Sequence, residues 1–296
     1  MGKRFKLFSL LLICAFITAC ASSGNKEAEP GAGGEQGKKT MVIGMNNWAE
    51  NIAVSNMWTI LLKEKGYDVE LKTMEKSPLW IGLSEGDIDL SMEAWLPTTD
   101  EPLMNKYKDK LELGEVWYKG AKTGLAVPTY VDINSIEELN ANKDKFIVNG
   151  KPSIVGIDPG ASLMGQTDNA IQEYGLELDV ISGSEAMMLS SLGKAYGSKE
   201  PIVVTMWNPH WAFSEYELKY LEDPKKTFGE GDDISYFSRL GFKEEYPEVV
   251  KWLNQWNMDD QSLGSLMISV QDGATPEEGA KKWIDENRAV VDEWLK

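Results

Sequence analysis

Two of the chain's tryptophans occupy matched places. Trp95 closes Asp87-Ile88-Asp89-Leu90-Ser91-Met92-Glu93-Ala94-Trp95-Leu96-Pro97, a run that alternates as a short strand does and is stopped by proline. Trp207 closes Pro201-Ile202-Val203-Val204-Thr205-Met206-Trp207-Asn208-Pro209, a second apolar run ending in Trp-x-Pro. Each lies the same distance after a glycine that ends an earlier apolar run, Gly44 after Met41-Val42-Ile43 and Gly156 after Ser153-Ile154-Val155. Tryptophan is mostly a buried residue. One repeated at the tip of equivalent strands, just before a loop, is better placed to touch a ligand than to fill a core. Trp48, on the loop that follows Gly44, joins them. The chemistry implied is binding, not catalysis. There is no Gly-x-Ser-x-Gly, the single histidine is His210, and the acids are too numerous for any pair to stand out. A lone histidine such as His210 is expected to be a hydrogen-bonded packing residue.

The elements that must position these residues form an internal repeat. Each half reads strand, glycine turn, helix, a helix-ending glycine (Gly66 or Gly175), strand, helix and Trp-tipped strand, which is βαβαβ twice. In open parallel sheets ligands bind beyond the carboxyl ends of the strands, so two such halves facing each other direct Trp48, Trp95 and Trp207 to one cleft. The expected class is α/β with two lobes, residues 40–125 plus 236–296 and residues 126–235, joined by two crossings. Such lobes hinge and close on ligands. Thr123 to Val131 reads as the strand leading out of the first half. Ser135 and Glu138 read as the capping box of a helix start, and Asp232 to Leu240 as the returning strand. Pro247–Trp256, Ser262–Val270 and Pro276–Leu295 read as helices. Trp252 and Trp256 are expected to share one helix face, and Trp283 to pack on another helix.

Residues 1–19 carry Lys3, Arg4 and Lys6 before a short apolar run, the pattern of a secretory signal. Ile17-Thr18-Ala19-Cys20 resembles the bacterial lipobox, which implies acylation of Cys20. More than one acyl chain is needed for stable anchoring. Residues 20–39, rich in glycine and small polar residues, read as a flexible tether. Cys14 and Cys20 are the only cysteines, so the exported part is expected to hold no disulfide and no cysteine-based metal site. A net charge of −17 argues against nucleic acid and against an anionic membrane as partners of the body.

Gly44-Met45-Asn46-Asn47-Trp48-Ala49-Glu50, Glu93-Ala94-Trp95-Leu96-Pro97, Gly156-Ile157-Asp158-Pro159-Gly160 and Trp207-Asn208-Pro209-His210-Trp211 resemble the motifs of glycine betaine/proline betaine substrate-binding lipoproteins of bacterial ABC importers. The resemblance covers the chain from Thr40 onward. It implies a bilobed periplasmic-binding-protein fold, no enzymatic activity, no cofactor or metal, a monomer anchored outside the cytoplasmic membrane, and permease and ATPase partners. It implies that Trp48, Trp95 and Trp207 form a cage around a quaternary ammonium, and that the amides of Gly156 and Ile157 hold the ligand carboxylate. Such a cation has no N–H to donate and its methyls favour an apolar wall, which aromatic faces supply together with a negative quadrupole. One position departs from the pattern. Relatives often place a histidine five residues after the second cage tryptophan, where this chain has Asp100. Either Asp100 turns to solvent, the expectation favoured here, or the ligand lacks a carboxylate, as choline does. Choline- or carnitine-type ligands, or a sensory or glycan-binding lipoprotein, are the alternatives.

Overall fold

The computed structural model describes residues 39–296. The leader, Cys20 and the tether up to residue 38 lie outside the described residues, which form one compact unit. The strands are β1 (Thr40–Met45), β2 (Asp68–Thr73), β3 (Leu90–Leu96), β4 (Leu111–Pro128), β5 (Ile147–Val148), β6 (Lys151–Val155), β7 (Asp179–Ile181), β8 (Val204–Asn208), β9 (Leu218–Tyr220) and β10 (Asp232–Arg239). The helices are α1 (Ala49–Glu64), α2 (Lys76–Glu85), α3 (Glu101–Tyr107), α4 (Leu139–Asn142), α5 (Ser162–Tyr174), α6 (Glu185–Ser198), α7 (Ala212–Glu215), α8 (Phe242–Glu245), α9 (Pro247–Gln255), α10 (Asp260–Asp272), α11 (Pro276–Glu286) and α12 (Arg288–Trp294).

The repeat is visible in the pairing. In the first half β1 lies between β2 and β3, all parallel, and in the second half β6 lies between β7 and β8, again parallel. Each half is therefore the same βαβαβ unit with its first strand central. The glycine that ends α5, Gly175, adopts the left-handed conformation (φ 58°) that glycine enters without steric cost.

Between the halves the chain departs from simple repetition. β4 is 18 residues long. Up to Ala121 it pairs with β10, and from Lys122 it pairs with β8 and, at its end, β9. β10 inserts antiparallel between β3 and β4. β3 is consequently an interior strand. Leu90 to Trp95 are all buried rather than alternating, because both faces of a strand in mid-sheet are covered by helices and loops.

The C-terminal segment differs from expectation in two places. Residues 276–295 form two helices, not one, with Asn287 between them at φ −114°, ψ 22°. Trp256 does not share a helix face with Trp252. It lies past the end of α9 with extended dihedrals, stacks on Trp117 at 4.2 Å and meets Trp58 edge-on at 5.5 Å. Trp252 packs edge-on against Tyr67 instead. Aromatic pairs of this kind each add about 0.5–1.5 kcal/mol beyond the area they bury. The Ser135 capping box is formed, but it opens a 3-10 turn, Ile136–Glu138.

Candidate functional site

Trp48 is the residue that opens α1, its backbone extended (φ −120°, ψ 150°) before the helix turns. Trp95 and Trp207 sit near the carboxyl ends of β3 and β8, and each is followed by a cis X–Pro bond, Leu96–Pro97 and Asn208–Pro209. The three side chains line one pocket, about 320 Å³ when the part open to solvent is counted. The Trp48 and Trp207 rings are 6.4 Å apart and inclined by 58°. All three tryptophans are less than 9% exposed. Ile157 and the start of α5 (Ala161, Ser162 and Leu163) form the opposite wall, with Thr99 and Thr123 beside them.

Gly156, expected in the site, does not line the cavity. Its amide donates to the Ile181 carbonyl at 2.8 Å, and an added Cβ would stand 2.6 Å from the Met164 side chain. The glycine thus extends the β6–β7 contact and makes room for Met164. The Ile157 amide faces Met164 Sδ at 3.3 Å, a weak acceptor. An anion site built on these two amides is therefore not free in this arrangement.

Asp100 does not turn to solvent. It is fully buried, and its carboxylate accepts from Lys76 Nζ at 2.7 Å, the Trp95 amide at 2.9 Å and Ser162 Oγ at 2.7 Å. A buried acid is tolerable where a cation and donors offset its lost hydration. Lys76 supplies that cation from the first turn of α2. Lys76 is itself only 2% exposed, lines the cavity, and holds its ammonium 5.1 Å from the Trp48 ring.

Glu50 completes the lining. One carboxylate oxygen accepts from Trp207 Nε1 at 2.8 Å and the other has no hydrogen-bond partner among the described residues. Burial pushes its carboxyl well above the usual range, and Glu93 and Glu185 add to the effect. Burial likewise raises the Glu93 carboxyl, against a downward pull from Lys76.

His210 packs edge-on against Trp207 at 4.7 Å and does not line the cavity. Its Nδ1 accepts from the Ala212 amide, so Nε2 donates to Glu185 Oε1 at 3.2 Å, and Glu185 Oε2 in turn accepts from the Ala49 amide. The bond of Ala49 to Glu185, with those of Trp207 to Glu50 and Ser162 to Asp100, runs between the two βαβαβ units.

Sequence reasoning missed Lys76 and Glu50. Met74-Glu75-Lys76-Ser77-Pro78 reads as an exposed helix start, and Glu50 reads as an acid complementing the amino end of α1. Only their burial marks them. The arrangement offers aromatic walls, one cation and several carboxyls, but no activated nucleophile. Among the described residues no group of three or more histidines, cysteines or acids could hold a metal, and no helix is long and apolar enough to cross a membrane.

Comparison with known proteins agrees with this geometry. Lactococcal OpuAC, in its closed-liganded conformation complexed with glycine betaine, superposes with a TM-score of 0.80 at 35% identity over 88% of this chain and 100% of that one. The glycine betaine, L-proline ABC transporter binding protein ProX from Borrelia burgdorferi gives 0.82 at 31% identity, over 87% of this chain and 97% of its own. The glycine betaine/carnitine transport binding protein GbuC of Listeria monocytogenes serotype 1/2a (strain 10403S) is 42% identical over 145 residues. That match spans 48% of each chain, about half the length of this curated relative. The fold is accordingly that of the bilobed periplasmic substrate-binding proteins. Residues 39–286 match the OpuAC family, described as the substrate binding domain of ABC-type glycine betaine transport system, and the chain belongs to that family of transport binding proteins, which are not enzymes.

Proposed function

We propose that this protein is the extracytoplasmic receptor of an ABC importer and captures glycine betaine or a closely related quaternary ammonium solute between Trp48, Trp95 and Trp207. The observation that carries the reading is the convergence of three buried indoles, from both βαβαβ units, on one cavity without a catalytic group. Aromatic faces attract a desolvated cation by about 2 kcal/mol each at best, and the methyl groups gain an apolar wall.

In this reading the two units are lobes that close over the ligand, the hinge runs through β4 and the segment before β10, and Ile157 contributes an apolar wall. The loaded protein delivers its ligand as a monomer to a permease driven by an ATPase, and acylated Cys20 holds it at the outer face of the membrane. A thermal-shift panel of glycine betaine, proline betaine, carnitine, choline and neutral sugars tests the reading. A true ligand raises the melting temperature at saturation. A shift with sugars and none with any quaternary ammonium would refute it.

A further inference from the structure

Once Gly156 and Ile157 are accounted for, the cavity lacks an obvious partner for the anionic end of a zwitterion. Lys76 stands out there. Its ammonium carries three N–H donors, yet among the described residues Asp100 is its single hydrogen-bond acceptor. A side chain buried to this degree normally has its donors satisfied. Lys76 Nζ also lies 5.1 Å from the centre of the Trp48 ring, so a charge at this position is within reach of the proposed cage.

Resting on the cage reading above, we propose that Lys76, held in place by Asp100, receives the carboxylate of a zwitterionic ligand and disfavours quaternary amines that have none. The two unspent donors match a carboxylate's acceptors, and a charge-assisted hydrogen bond is the stronger kind. Opposite ends of the ligand then meet opposite needs, the methylated nitrogen on indole and the carboxylate on ammonium. A ligand with a cationic end alone brings a second positive charge near Lys76 and leaves its donors unmet. In a site shielded from water both effects are amplified. Asp100 has a positioning role. It holds the ammonium at the cavity wall, and because Ser162 from α5 donates to the same carboxylate, it also links that position to the approach of the second unit.

Titration calorimetry with glycine betaine and choline, on the parent and on two variants, provides the test. The parent should bind betaine at least about tenfold more tightly than choline, as expected when one charged hydrogen bond is gained or lost. Lys76→Met should lose betaine affinity by a similar factor and gain choline, since Asp100 is then an uncompensated anion near the cage. If that variant fails to fold, Lys76→Met/Asp100→Asn removes both charges together. It should bind the two ligands within a few-fold of each other, about what the loss of one charged contact leaves. A folded Lys76→Met that keeps the parent's betaine affinity and preference would overturn the proposal while leaving the cage intact. A parent that binds neither ligand would instead remove the cage reading, and this proposal with it.

Discussion

At the scale of single residues, the tryptophans fall into two groups that the structure separates by what they touch. Trp48, Trp95 and Trp207 line the cavity, whereas Trp58, Trp117 and Trp256 touch only one another and the core. Replacing any of the first three with alanine should weaken betaine binding by about tenfold or more, through the lost cation–π contact and apolar wall, as read by calorimetry. Trp117→Ala or Trp256→Ala should instead lower stability by about 3–5 kcal/mol, the cost of a large core cavity, read from the denaturation midpoint, with affinity in the folded fraction unchanged. That these three tryptophans share one cavity was legible in the sequence, because Trp95 and Trp207 repeat at the ends of equivalent strands and Trp48 follows the glycine of the first strand. Lys76 and the fate of Asp100 were not. They are 24 residues apart, on different elements, and their pairing depends on how α2 and the turn before α3 approach. No local spacing encodes that.

At the scale of elements, the βαβαβ repeat could be read from its punctuation, the glycines at or just past the ends of β1, α1, β6 and α5 and the prolines after β3 and β8. The length of β4 could not, because Gly114 and Lys119-Gly120 look like turn residues. Gly114 is accommodated for a different reason, since the Tyr236 ring of β10 lies where its Cβ would be. The helical C-terminal segment was read as helix, but its break at Asn287 was not, since Asn287-Arg288 carries no proline or glycine to announce it. A comparable close approach fixes α11 on α10. A Cβ on Gly279 would fall 2.3 Å from the Ser269 carbonyl and 2.5 Å from the Val270 Cα. Backbone atoms cannot rotate aside as a side chain can. Gly279→Ala should therefore push the helices apart and destabilise the protein by about 1–3 kcal/mol or more, measured by urea unfolding, while Gly264→Ala, which meets nothing within 4 Å, should not.

At the scale of the whole molecule, the proposed closure should be coupled to protons. The carboxyls of Glu75, ahead of α2, and Asp158, on the loop after β6, are neighbours, and a proton shared with Asp158 raises that of Glu75 to about 7. Among the described residues no N–H or hydroxyl donates to Asp158 Oδ2, so a hydrogen bond between the two carboxyls needs a proton on one of them. The contact thus favours the closed arrangement below the ordinary carboxyl value of 4.5 and is lost as pH rises through about 7. Betaine affinity should fall by a few-fold from pH 5 to pH 8, a modest change because Glu75 is solvent-exposed. Glu75→Gln, which keeps a donor at all pH values, should remove the step near pH 7 and leave only the contribution of the buried Glu50 and Glu93. An unaltered pH profile in that variant would show that the Glu75 contact does not govern closure. The insertion of β10 between β3 and β4 has a further consequence, for the order in which the molecule can be made. As the chain is synthesised, β3 emerges without its lateral neighbour. That neighbour begins at Asp232, after the entire second βαβαβ unit. The second unit is contiguous and can assemble early, whereas the first waits with an open sheet edge until the segment from Asp232 onward arrives. Long-range pairing of this kind folds slowly and leaves an aggregation-prone edge. A nascent chain halted before Asp232 should be protease-resistant in its later half and protease-sensitive in its earlier half.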